Sequence, residues 1–370
     1  MENELSKTKP RILFFGNTMD RSEVAIAKGI INRGYEFKIF IDPNCTRINE
    51  IRKSGLPLEY FTAKSRLDFK ATKKLRKILK ETKPDIIYAP TNKTLATALR
   101  ASKKLPIKII GYRGTIGHLS KYNPASWFTH LHPRLSHIIS VSEAVRQHLI
   151  NDVKIVAEKI TTIYKGHNPE WYAHPDKIDL QSLGVPENAV TVGFAGNMRP
   201  VKGVDILIKA LDYLPPETKI HLLLIGDVRD KTVEKLISMP KYKNRLTLTG
   251  FRSDAPSIIN ACNIFVMPSI EREGLPRAVI EAMTMKIPVI VSDVGGMPEQ
   301  IINNECGLVV PPSNPKALAD AIQKLATSPE LCSNFGNAAL MRIQSQFNIK
   351  TTINSMCGVF NKIHAQNKST

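Results

Sequence analysis

The stretch Glu273-Gly274-Leu275-Pro276-Arg277-Ala278-Val279-Ile280-Glu281-Ala282-Met283 sets two carboxylates eight residues apart. An apolar run, Ile264-Phe265-Val266-Met267, precedes it and stops at Pro268-Ser269. That order reads as a buried strand, a turn and a helix opening near Leu275. Glu273 then stands in the loop before the helix and Glu281 about two turns in, at roughly 3.6 residues per turn. The first turn of such a helix offers N–H groups without intrahelical partners and the positive end of its dipole, which suit a phosphate. Pro276 gives up one of those donors, and its fixed φ suits the first turn. Leu275 and Arg277 are therefore the expected N–H contacts. A capped surface helix with two solvated glutamates has the same spacing.

A second candidate is Gly196-Asn197-Met198-Arg199-Pro200-Val201-Lys202-Gly203, directly after an apolar run and before a helical pattern. A glycine turn lets backbone N–H groups approach a phosphate, and two cations in one loop neutralise a diphosphate. A surface turn with two solvated cations has the same composition.

Both loops need a scaffold, and the chain supplies a repeating one. Arg11 to Phe15 predicts a first strand, ending at Gly16-Asn17-Thr18, and a helix follows to Asn32. Further strands are predicted at 35–41, 84–88, 107–111, 137–142 and 159–164, with helices between them. Residues 168–188 are polar and carry prolines, and read as a linker. Alternation then restarts with strands at 190–195, 220–225, 245–249, 264–267, 287–292 and 307–310. Strand–helix alternation predicts parallel sheets covered on both faces. Two such halves in tandem predict a cleft between the carboxyl ends of the sheets. The expected domains are 1–167 and 168–348, with 349–370 an amphipathic helix across their joint. The first turn lacks G-x-G-x-x-G, so it carries no dinucleotide fingerprint.

At 370 residues the chain exceeds one core's usual size. No apolar stretch is long enough for a membrane span, and the N-terminus lacks a signal-peptide apolar region. Cys45, Cys262, Cys306, Cys332 and Cys357 are scattered without metal-ligand spacing, which fits a reducing cytoplasm. Residues 1–165 hold 31 Lys+Arg against 14 Asp+Glu, a net of +17, and the remainder 21 against 19, a net of +2. A one-sided basic half points to an anionic partner. From Lys64 to Lys83, Phe69, Leu75, Ile78 and Leu79 recur at helical spacing among cations. That pattern fits a solvated helix and a membrane-surface helix equally. The segment has no motif or aromatic platform for nucleic acid, so none is expected as partner.

Gly196…Lys202-Gly203, Gly250-Phe251, Pro268-Ser269…Glu273-Gly274…Glu281-Ala282-Met283 and Gly295-Gly296…Glu299 occur in one order. Together they resemble the retaining glycosyltransferases of family 4. The likeness extends more loosely to Ser140-Val141-Ser142-Glu143 and Tyr164-Lys165-Gly166. It implies the GT-B fold, an α/β architecture of two Rossmann-like domains facing each other across a cleft, with the acceptor side N-terminal. It implies that Arg199 and Lys202 bind the donor diphosphate, Glu281 the donor ribose, and Glu273 the sugar hydroxyls near the reacting carbon. It further implies that the backbone at Phe251-Arg252 holds the base and that Gly16 lets the acceptor-side loop approach the donor phosphate. Gly196, Gly274, Leu275 and Arg277 complete the donor set. No metal and no cofactor are implied, because the cation pair replaces a divalent ion.

This chain departs from the family at two places. Gly196-Asn197-Met198 stands where Gly-Arg-Leu is common, and Arg199 is the substitute cation. A histidine common after the fourth strand is absent from Gly111-Tyr112-Arg113-Gly114, so either Arg113 takes its place or His118 enters the site. His130, His132 and His137 read as structural. The expected reaction moves a sugar from a nucleotide sugar to a glycan or glycolipid acceptor, as in surface polysaccharide or lipopolysaccharide assembly. The expected place is the cytoplasm or, peripherally, the inner membrane face, with an anionic surface as partner. A sugar-nucleotide epimerase and a non-catalytic nucleotide-sugar-binding subunit are the alternative readings.

Overall fold

The computed structural model describes residues 9–45, 47–173, 176 and 178–366. The chain divides into two compact units. One joins the described residues up to Gly166 with those from Ile349 onward; the other is His167–Asn348.

The first unit carries a parallel sheet of β1 (Ile12–Phe15), β2 (Phe37–Ile41), β3 (Leu58–Tyr60), β4 (Ile86–Ala89), β5 (Lys108–Arg113), β6 (His137–Ser140) and β7 (Ile160–Thr162). Its order is β3-β2-β1-β4-β5-β6-β7. β1, β4 and β6 are buried along their whole length, as apolar runs are when helices cover both faces of a sheet. β3 is a short, mostly exposed edge strand that the sequence reading missed.

The helix Ile349–Ala365 lies in this first unit and does not stand apart as a third piece. Ile353, Met356, Val359, Phe360 and Ile363 join the same core as Ile12, Phe14 and Ile30. Burying that stripe contributes on the order of 10 kcal/mol at most. The stripe comes close to Gly29, where an added Cβ would lie 2.3 Å from the Ile353 side chain. Arg33 donates to Asn354 at 2.7 Å and Tyr35 to Asn361 at 3.0 Å, which fixes the helix rotation. Lys165 ties the end of the unit's first stretch back to the first helix, meeting Asp20 at 2.6 Å and Glu23 at 3.2 Å.

The basic helix is Phe69–Thr82, capped by Asp68. Its apolar stripe faces inward: Ala71, Leu75 and Leu79 are buried, and the helix packs on Asn92–Ala101. Arg76 donates to the carbonyls of Ala101 and Lys103 at the end of that neighbour. The stripe therefore serves the protein core, and the lysines, Phe69 and Glu81 are exposed. Helical periodicity does not distinguish a neighbouring helix from a lipid surface as the thing a stripe covers.

The second unit carries β8 (Val190–Ala195), β9 (Ile220–Ile225), β10 (Leu246–Gly250), β11 (Ile264–Met267), β12 (Val289–Ser292) and β13 (Leu308–Val310). They pair in parallel in the order β10-β9-β8-β11-β12-β13. Each sheet reverses its strand order once, beside β1 in the first and beside β8 in the second. Ligands of open α/β sheets bind outside the carboxyl ends of the strands at such a point. Gly16 follows β1, Gly196 follows β8 and Pro268 follows β11. The segment expected as a linker belongs to the second unit and contains short 3-10 turns at Pro169–Tyr172 and Gln181–Leu183.

Candidate active site

The second unit gathers three of the singled-out loops on one carboxylate. Glu273 is 7% exposed, and its Oε1 accepts from Lys202 Nζ at 2.5 Å and from Ser269 Oγ at 2.7 Å. Two glycines make this convergence possible. Gly203 holds φ at +62°, and a Cβ there would lie 2.1 Å from the Pro268 carbonyl oxygen. Gly295 holds φ at +58°, and a Cβ there would lie 2.0 Å from the Glu273 carbonyl oxygen. Any side chain at either position would push a neighbouring loop off Glu273. Ile270 N–H donates to Val201 at 2.9 Å, which binds the Lys202 loop to the loop before Glu273.

Gly196 and Arg199 are set by a second strap. Met198 N–H donates to Asp227 at 2.9 Å and Arg229 N–H to Met198 at 3.0 Å. Met198 is buried while Arg199 is exposed beside it, so the chain's departure from Gly-Arg-Leu leaves the cation outward and the neighbouring side chain inward. Lys202 N–H then donates to Arg199 at 2.8 Å, closing the 3-10 turn Pro200–Lys202 that carries the two cations together.

The helix after Glu273 runs Arg277–Thr284 with Pro276 as its N-cap. It opens two residues later than the spacing suggests, because Pro276 keeps an extended ψ of 123° and Leu275 stays in the loop. First-turn N–H groups therefore begin at Arg277. Glu281 stands one turn in, where Arg277 Nε meets its Oε1 at 3.1 Å. Glu281 is 8% exposed. Tyr172 brings its hydroxyl within 3.5 Å of the same oxygen and within 3.0 Å of His167 Nδ1. Sequence reasoning missed Tyr172, which falls where a linker was expected, and His167, at the expected end of the first domain. The signal was Trp171-Tyr172, an aromatic pair in a polar stretch. Gly274 is buried behind Glu273. Phe251 is 75% exposed, and the Arg252 guanidinium is held by Asp254 at 2.6 and 2.8 Å.

The first unit places its own candidates at the carboxyl ends of β1 and β5. Gly16 lies against the Phe14 ring, where a Cβ would come within 2.4 Å. Its loop is pinned by Thr62 to the Gly16 carbonyl at 3.1 Å and by Thr91 to Asn17 at 2.7 Å. Arg113 is 8% exposed and donates to the carbonyls of Thr115, at 2.9 Å, and Gly117. Burial with no compensating carboxylate lowers its pKa. Its guanidinium thus braces the loop on which His118 sits exposed, in the left-handed region at φ +57°. His148 supports the same loop from behind, accepting from Gly117 N–H at 3.3 Å with its other nitrogen 2.6 Å from Asp152. This pairing gave no sequence signal.

The three histidines read from the sequence as structural, His130, His132 and His137, have internal partners. His130 lies 3.1 Å from the Tyr112 carbonyl, and burial lowers its pKa to about 4. His137 bonds Thr161 at 2.8 Å, and burial, with Lys362 nearby, lowers it also to about 4. His132 accepts from Arg134 N–H at 3.2 Å. Among the described residues no three His, Cys, Asp or Glu side chains gather as a metal site would require.

Residues 176–342 match the family model described as glycosyl transferases group 1, and residues 21–171 that of glycosyltransferase family 4. The capsular polysaccharide biosynthesis glycosyltransferase CapM of Staphylococcus aureus is 24% identical over 296 residues, 76% of this chain and 77% of that protein. The lipopolysaccharide core biosynthesis mannosyltransferase LpcC of Rhizobium leguminosarum bv. viciae is 29% identical over 200 residues, 51% of this chain and 55% of that protein. Anabaena Alr3699/HepE, solved with UDP, shares the fold at a TM-score of 0.79 and 24% identity, across 95% of this chain and 100% of that one. Two sheets of one architecture, a model matching each half and neighbours spanning nearly the whole chain agree on one assignment, a GT-B glycosyltransferase.

Proposed function

We propose that the protein transfers a sugar from a nucleotide-sugar donor to a glycan or glycolipid acceptor with retention at the anomeric carbon and without a metal. The observation that carries this reading is the meeting of Lys202, Ser269 and Glu273 beside the point where the second sheet reverses its strand order. Arg199 and Lys202 draw charge from the leaving diphosphate as it forms. A bound diphosphate competes with Glu273 for Lys202, and Glu273 is then available to the donor-sugar hydroxyls. Glu281 accepts from the ribose, oriented by Arg277 and Tyr172. Leu275 and Arg277 offer backbone N–H groups, and Gly16 leaves room for the donor phosphate at the acceptor-side loop. His118 is the side chain offered to the reacting sugar, with Arg113 as its brace.

The relatives CapM and LpcC suggest capsular polysaccharide or lipopolysaccharide assembly, and the place proposed for this chain is the cytoplasm or the inner face of the membrane. The basic first unit suits an anionic membrane surface, and the five free thiols suit a reducing compartment. No helix of the described residues is long and apolar enough to cross a membrane. Because HepE is solved with UDP and with UDP-glucose, uridine nucleotides come first in the test. Radiolabelled nucleotide sugars are incubated with the protein and a lipid extract, and the product anomer is read by NMR. Transfer with retention supports the reading. Inversion, donor epimerisation or no turnover of any donor rejects it.

A further inference from the structure

Beside His118 the first unit holds an open pocket of about 420 Å³ whose walls include Arg66, Asn92, Arg113, His118, Asn123 and Ser126. Two of these are arginines, and no carboxylate lines the pocket. The positive potential registers on a third group. Burial is the main cause that lowers the His130 imidazole, and Arg113 and Arg66 push it further the same way. A concave, polar pocket with uncompensated guanidinium charge favours an oxyanion. Arg66 is an exposed lining residue, whereas Arg113 is buried and fixed by its carbonyl partners.

The rim has the opposite character. Leu67 is 56% and Phe69 69% exposed, next to Arg66 in the chain. Tyr122 is 83%, and Trp127 and Phe128 each 49% exposed, next to the wall residues Asn123 and Ser126. This is not a loose loop that happens to show apolar groups. Asn123 Oδ1 accepts from Ala125 N–H at 3.0 Å, and Ser126 Oγ accepts from Ser120 N–H at 3.2 Å. Trp127 donates its indole N–H inward to the Lys121 carbonyl at 2.9 Å, so the ring's polar group is satisfied within the protein while half the side chain remains exposed. Lys64, Lys70 and Lys121 are exposed among these side chains. Aromatic rings interleaved with cations are the composition that settles at a lipid–water boundary. An acidic protein partner would be met by cations, but it would not need exposed rings beside a pocket that has room for a phosphate and more.

We propose that this pocket holds the phosphate of a phosphate-headed lipid acceptor, whose apolar part lies on the exposed side chains of the rim. The inference rests on the glycosyltransferase reading and names the acceptor class for it. It also moves the membrane contact away from the stripe of the Phe69–Thr82 helix, which is buried, to the loops at that helix's start and beyond β5.

The sequence has two tryptophans, so Trp171→Phe leaves Trp127 as a single reporter in the whole chain. Its emission is followed on adding vesicles of phosphatidylcholine alone or doped with phosphatidic acid, with sn-glycerol 3-phosphate as soluble competitor. The expected result is a blue shift with phosphatidic acid only, competed by glycerol phosphate. Arg66→Gln should weaken that response about tenfold and Arg66→Lys restore part of it. Equal shifts with both vesicle types would reduce the rim to a plain apolar surface and overturn the proposal. A response to phosphatidic acid unchanged in Arg66→Gln would assign the attraction to bulk charge and overturn it too. Glycerol phosphate quenching without any vesicle response would make the pocket a site for soluble phosphates. Melting temperature with and without UDP is measured on every variant. A UDP shift that survives shows an intact fold, and its absence from the parent protein would count against the donor reading while leaving the vesicle result to stand or fall by itself.

Discussion

Lys202 and Glu273 form an ion pair with side chains 15% and 9% exposed, and each is also the partner the other would lose when a diphosphate arrives. Breaking a buried pair by deleting one member leaves an uncompensated charge, so activity effects must be read beside stability. We expect Arg199→Ala and Lys202→Ala to lower kcat by the order of 10²-fold each, since a cation facing charge that develops in the transition state acts there rather than on the ground state. A rise in KM with kcat unchanged would remove them from the leaving-group role. EDTA should leave turnover intact, and loss restored by magnesium would sink the metal-free mechanism. Glu281 differs, because it is already held by Arg277 and approached by Tyr172. Glu281→Ala should weaken UDP binding by roughly 1.5–3 kcal/mol, the worth of a hydrogen bond to a charged group. Calorimetry on the folded variant checks this, and unchanged affinity would take Glu281 out of the donor site. These residues were legible in the sequence, because carboxylates at fixed spacing after an apolar run imply a place as well as a type. Tyr172 was not, since its role depends on a turn folding back onto the Glu281 helix.

Elements decide whether such residues arrive together, and they were read less evenly. Long apolar runs such as β8 and β9 announce themselves. β3 is three residues at a sheet edge, Leu58-Glu59-Tyr60, too short for any period to show. The start of the Arg277–Thr284 helix shifted because proline at the N-cap and proline at the first helical position look alike in a sequence. The loop after β5 is the least legible element and the most dependent on distant support. His148, on the helix Glu143–Asn151, accepts from Gly117 N–H while Asp152 holds its other nitrogen. For the ring to accept at Nε2 it must be neutral with the proton at Nδ1, which the Asp152 contact favours. We expect His148→Leu to lower kcat about fivefold by releasing one hydrogen bond worth about 1 kcal/mol at the loop that carries His118. UDP affinity should not change, because the cations proposed for the diphosphate, Arg199 and Lys202, belong to the second unit. A parallel fall in UDP affinity would mean general misfolding, and an unchanged kcat would mean that the loop's position does not limit the reaction.

At the scale of the whole molecule, two properties of the first unit are open to test, and one is pH. His130 and His137 are buried with pKa values near 4, well below the ordinary histidine value. Their folded values are depressed, so the stability they permit is complete above about pH 6.5 and is lost as pH falls toward 4, where the unfolded chain takes up protons that the folded one refuses. His130 alone accounts for about 3 kcal/mol across that window. Urea unfolding followed by Trp127 in the Trp171→Phe background should show a midpoint that drops between pH 7 and 5. His130→Gln should flatten the drop, and an unchanged slope would place the titration elsewhere. The other property is charge. The excess of +17 over residues 1–165 was plain from the sequence, but where it acts was not. The Phe69–Thr82 helix turns its leucines to the core and its lysines outward, so it supplies field rather than insertion. Each cation near an anionic leaflet is worth about 1 kcal/mol and fades beyond roughly 10 Å at 0.1 M salt. Lys73, Lys74 and Lys77 are exposed, and their replacement leaves Leu75 and Leu79 in place. Changing all three to Glu should abolish sedimentation with phosphatidylglycerol vesicles at low salt, because it reverses the sign of the patch. UDP affinity should stay within about twofold, since Arg199 and Lys202, the cations proposed for the diphosphate, belong to the other unit. High salt should release the parent protein in the same way. Sedimentation that persists in the triple variant, or that ignores salt, would show that the lysine field does not hold the protein at the membrane.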